Sequence, residues 1–77
     1  MVYLFEFVSI AGDGQRSLIE NVMLRAPSVV HARETARSML REVIFHDRRP
    51  DACVIKDQMG HVLGGVILPH RQARAAH

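Results

Sequence analysis

One stretch, Ser28 to Ile44 (SVVHARETARSMLREVI), constrains the arrangement of everything else, because it alone repeats its apolar residues at the period of a long helix. At about 100° per residue, Met39, Ala32, Val43, Ala36, Val29, Leu40 and Ile44 fall on one contiguous arc, and Glu34, Ser38, His31, Glu42 and Thr35 fill the opposite side. Such a helix must lay one stripe on a core and keep the other in water. Ser28 offers a hydroxyl to cap its first turn, and Pro27 keeps the preceding chain extended. Phe45 falls on the polar side and Pro50 follows, so the helix is predicted to stop near Ile44.

The flanking segments read as strands. Val2 to Ile10 is β-branched and aromatic, with faces Tyr3, Phe5, Phe7, Ser9 and Val2, Leu4, Glu6, Val8, Ile10. Both faces are largely apolar, which predicts a central strand covered to some degree on both sides. Ala11-Gly12-Asp13-Gly14 then turns the chain; with no GxGxxG or GK[ST] following, this is a hairpin turn and not part of a phosphate loop. Ser17 to Leu24 returns, more polar at Glu20 and Asn21, as an edge strand. After the helix, Phe45 to Asp51 is a charged loop, Ala52 to Lys56 a short strand, and Asp57-Gln58-Met59-Gly60 a type I turn with a G1 bulge leading into His61 to Leu68. Gly64 and Gly65 in that last strand predict a close approach by Ala32 and Ala36 of the helix. The expected fold is a two-layer α+β domain over residues 1–68, a four-stranded β-β-α-β-β sheet with one amphipathic helix on one face. The first and last strands are expected at its centre, since both are apolar on both sides, and residues 69–77 are expected to form a mobile, weakly basic tail.

Length gives this architecture a shortage. A chain of 77 residues makes one domain, and at this size a single core rarely supplies more than ~3–5 kcal/mol without a staple or a partner. Its one cysteine, Cys53, cannot close an intramolecular disulfide. The opening MVYLFEFVSI has no basic run before its apolar residues and carries Glu6 within them, so neither a signal peptide nor a membrane span is expected, and the chain reads as cytoplasmic. The net charge of +2 is unevenly placed: residues 25–77 hold nine bases against five acids.

The order of strand, Asp-Gly turn, strand, proline-containing cap, alanine-rich helix, short strand, turn and last strand resembles a family of small uncharacterised proteobacterial proteins. The residues that carry the resemblance are Tyr3 to Phe7, Asp13-Gly14, Ala32, Ala36, Ile55 to Asp57, Gly60, Val62 and Leu63. Here the family's Leu-Pro-Asp cap is Ala26-Pro27-Ser28. The resemblance implies this fold and no activity.

Three groups of residues are candidates for function. Arg33, Arg37 and Arg41 stand four apart on the rim of the apolar arc, and Arg48 and Arg49 follow in the loop; like charges at that spacing repel, and a nucleic-acid phosphate backbone is one partner that would neutralise them. The favoured reading of these arginines is a solvated rim, paired locally with acids such as Glu34 and Glu42. His31, His46, His61, His70, His77 and Cys53 show neither i, i+4 nor CxxC spacing, so no metal or other cofactor is expected; Cys53 reads as a small buried hydrophobe, and no base-nucleophile pair suggests an enzyme. The third candidate is the sheet itself. One helix shelters one face, so if Tyr3, Phe5 and Phe7 lie on the other, they form an aromatic patch best covered by a second copy. The expected function is therefore a small non-catalytic interaction module that forms a homodimer, with a nucleic-acid-binding regulator as the alternative.

Overall fold

A computed structural model describes residues 1–68 of the chain. Five elements follow in order: β1 (Val2–Ile10), β2 (Arg16–Arg25), α1 (Val29–Glu42), β3 (Ala52–Lys56) and β4 (Val62–Ile67). The strands form one antiparallel sheet in the order β2-β1-β3-β4, and α1 lies across β3 and β4 on one face, so the architecture is the expected two-layer α+β fold. The expected tail falls outside the described residues.

Local chemistry sets the element ends. The Ser28 hydroxyl accepts from the His31 backbone N–H at 3.3 Å, as an N-cap does, and the helix closes at Glu42, just before Ile44, where Val43 is extended and donates its N–H to the Met39 carbonyl at 2.8 Å. Both hairpins use the same turn. In each, a glycine donates to the carbonyl three residues before it, Gly14 to Ala11 at 2.9 Å and Gly60 to Asp57 at 3.1 Å, with φ of +89° and +87° that L side chains rarely adopt. In the second turn the Asp57 carboxylate also accepts the backbone N–H of Met59 at 2.8 Å and of His61 at 2.9 Å.

Those bonds hold the Asp57 carboxyl below its ordinary value of 3.8, chiefly through the His61 backbone N–H. A carboxylate lowered in the folded state adds stability that is fully present above its unfolded value and is lost as pH falls through the folded one. Asp57→Asn keeps the acceptor oxygen but not the titration, so its stability should fall less steeply than that of the wild type below about pH 4, read from urea midpoints.

The sheet order corrects one expectation. β4 is an edge strand, and the short β3 takes the central place beside β1. Apolar residues on both sides of β4 do not mark a covered strand: Val66 and Leu68 turn to the helix and are buried, whereas Val62 and Ile67 turn to the uncovered side and are 65% and 50% exposed. The close approach at the glycines is present, with other helix atoms than expected. A Cβ on Gly64 would stand 3.5 Å from Arg33 Cδ and 4.0 Å from Val29 Cγ1, while one on Gly65 would press on the Cys53 carbonyl at 3.1 Å.

Register pairs share a face in antiparallel sheets, so the strands resolve into rows. Toward α1 lie Phe7–Glu20–Cys53–Val66 and Phe5–Val22–Ile55–Gly64, with Tyr3–Leu24 beyond. Ala32, Ala36 and Leu40 of the helix pack on these rows, and Phe45, just past the helix, stacks on Phe7 at 4.9 Å between ring centroids. A tight bridge holds Phe45 there: Phe45 and Arg48 exchange backbone bonds of 2.9 and 2.8 Å around His46 and Asp47, both at positive φ.

Candidate functional site

The aromatic strip expected at an interface is the core. Tyr3, Phe5 and Phe7 are 1%, 0% and 0% exposed beneath the helix, which corrects their placement on the uncovered side. The physical reason is volume: a helix that presents alanine at Ala32 and Ala36 leaves a space that only large side chains from the sheet can fill.

The uncovered side is the other one. It carries three rows, Val8–Leu18–Ala52–Ile67, Glu6–Asn21–Val54–Gly65 and Leu4–Met23–Lys56–Val62. The inner strands keep their apolar residues low, with Val8 and Ala52 nearly buried by their neighbours, while the outer strands raise theirs: Leu18 is 53% exposed and Met23 56%. Near the middle, Lys56 Nζ lies 3.0 Å from the Glu6 carboxylate, a diagonal pair between neighbouring strands with both side chains about a quarter exposed. Because Gly65 has no side chain, a depression of about 370 Å³ opens beside it, lined by Ile10, Arg16, Ala52, Val54, Val62 and Ile67 among others. Leu18, Met23, Val62 and Ile67 escaped notice in the sequence as a set. The period-two pattern of each strand held the signal, but joining them into one surface requires the register.

The arginine stripe lies on the helix layer, away from this face. Arg33, Arg37 and Arg41 are exposed, and none pairs with an acid among the described residues, so the expected partners Glu34 and Glu42 do not neutralise them. The Arg33 stem rests over Gly64 of β4, which puts this rim of the helix on the side of the free edge. Arg48 does not extend the stripe; it donates to the Ser9 hydroxyl at 2.8 Å, and Arg49 is exposed in the same loop.

The histidines are scattered in short local contacts. His31 Nδ1 stands 2.9 Å from the Ser28 hydroxyl, His46 Nε2 3.0 Å from Glu20 and His61 Nδ1 3.2 Å from Asp57. No group of three or more metal-binding side chains occurs among the described residues, and His70 and His77 lie outside them. Cys53 is 1% exposed on the helix side of β3, and burial, with the Glu6 charge adding to it, pushes its thiol up to about 12. In the folded protein it should therefore resist a soluble aromatic disulfide reagent at pH 8, and react only at the rate of unfolding; immediate labelling would contradict its placement.

No helix among the described residues is long and apolar enough to cross a membrane. No family model matches the chain, and neither a curated protein nor a solved structure shows significant similarity to it.

Proposed function

We propose that this chain is a small non-catalytic interaction module that self-associates through the uncovered face of its sheet. One observation carries the reading: Leu18, Met23, Val62 and Ile67, each half or more exposed, share a single face with Leu4, Val8 and Val54, and no helix lies over them among the described residues. Contiguous apolar surface of this kind marks an interaction site more often than a free one. Four strands at ~4.8 Å spacing and ~3.3 Å per residue make a plane of roughly 500 Å². As a flat projection that is below the ~800 Å² per partner of a standard-size complex, and the side chains standing out of the plane add to it. A two-fold pair of such faces would supply the core that a chain this short lacks.

Light scattering at micromolar concentration tests this directly. The wild type should show twice the 8.7 kDa chain mass, and the double variant Met23→Ser, Val62→Ser should keep its far-UV circular dichroism while dropping to the monomer. A wild type that stays monodisperse at 8.7 kDa would overturn the reading.

A second reading, a nucleic-acid-binding regulator, is favoured by Arg33, Arg37 and Arg41 standing exposed with no acid partner among the described residues. It is compatible with the first, because the stripe and the uncovered sheet face lie on opposite layers. If it holds, random duplex binds at low salt, and changing all three arginines to Gln flattens log K against log salt by up to ~3 units. Absence of binding by the wild type at low salt ends it.

A further inference from the structure

We infer that the two copies meet about a two-fold axis running along the strands between β1 and β3, so that Leu18 of each copy rests on Ile67 of the other and Asn21 faces the depression beside Gly65. This inference rests on the self-association reading and gives its geometry, which two independent features of the face select.

The first is shape. Leu18 and Met23 stand out from β2, and Ile67 and Val62 from β4; between the last two lies the depression beside Gly65, which has no side chain. A half-turn about an axis along the strands exchanges the flanks and keeps the level of each row. It therefore lays β2 of the second copy over β4 of the first: Leu18 meets Ile67, Met23 meets Val62, and Asn21, which shares a row with Gly65, comes down over the depression. Apolar residues meet apolar residues, and a side chain meets the depression, on both sides of the axis, as an isologous contact requires. Gly65 cannot fill its own depression cheaply, since a Cβ there would press on the Cys53 carbonyl at 3.1 Å.

The second feature is charge. Glu6 and Lys56 form the one ion pair on this face among the described residues, and they sit on the two central strands. The same half-turn places Glu6 of the second copy over Val54, one row from Lys56 of the first, so each carboxylate gains a second ammonium and each ammonium a second carboxylate. Charges that leave water in this alternating arrangement remain paired. The competing two-fold, across the strands through the Glu6 row, stacks Glu6 on Glu6 and lays Leu18 over Met23 of the other copy; like charges then face each other and the depression stays empty.

Cross-linking of the full chain separates these arrangements. Facing sheets stand ~10 Å apart, beyond disulfide reach, so a short bis-maleimide is the probe, and the buried Cys53 of the wild type serves as the unreactive control. Within one chain Leu18 and Ile67 are separated by three strand spacings, ~14 Å, too far for the reagent. The double variant Leu18→Cys, Ile67→Cys should run mostly as a covalent dimer on a denaturing gel, while either single variant stays at the monomer mass. Cross-linking of Leu18→Cys, Met23→Cys in place of the first pair would overturn the inference and leave self-association standing. A dimer by light scattering that neither pair cross-links would also overturn it. Loss of the dimer in the wild type itself would remove the underlying reading and the inference with it.

Discussion

Phe5→Ala is expected to leave the chain unfolded at room temperature. Phe5 is fully buried at the centre of the helix-facing side, flanked by Phe7 at 6.3 Å between ring centroids and in one row with Val22 and Ile55. Truncating a buried phenylalanine costs ~3–5 kcal/mol through lost transfer energy and the cavity left behind. A chain of 77 residues has roughly 4–11 kcal/mol in total at typical values per residue, and short single cores fall at the lower end. Far-UV circular dichroism and a urea titration provide the measurement. The contrast is with the other face, where Met23→Ser removes a side chain already 56% exposed and should leave the spectrum unchanged. The two sides of the sheet are thus expected to fail differently, one by losing the fold and the other by losing the partner. A cooperative Phe5→Ala transition at the wild-type midpoint would refute the placement of this strip under the helix.

Ala36→Leu should be the next most damaging change. Ala36 has no exposed surface and sits in the middle of the helix stripe that meets the sheet, with Ala32 one turn before it and Leu40 one turn after. Leucine is nearly as good a helix former as alanine, so the backbone has little to object to. The cost comes from three added heavy atoms in a close-packed contact, ~1–3 kcal/mol, which lowers the melting temperature by about 5–20 °C in a domain of this size. Ser38→Leu makes a similar addition two residues away on the exposed side and should stay within ~0.5 kcal/mol. Equal melting temperatures for the two variants would show that the helix does not meet the sheet through its alanines.

Period and turn chemistry made much of the architecture legible from residues alone. A 3.6-residue repeat between Val29 and Leu40, a serine cap, two glycine-closed turns and four extended runs are local features, and each element formed where its own residues favour it. The burial of Cys53 could likewise be read from the apolar residues around it in its strand. Which face of β1 meets the helix could not be read locally, because Tyr3, Phe5 and Phe7 on one side and Val2, Leu4 and Val8 on the other are both apolar. Alternation reports two sides and does not rank them. The ranking came from fitting volumes, where alanines on the helix call for aromatic rings beneath. The edge position of β4 has a similar origin. Its apolar residues on the uncovered side resemble those of a buried strand, and only pairing partners separate the two cases. The candidate interface is the most non-local feature of all: Leu18, Met23, Val62 and Ile67 come from two strands at opposite edges, and they become one surface only when the register of all four strands sets them side by side.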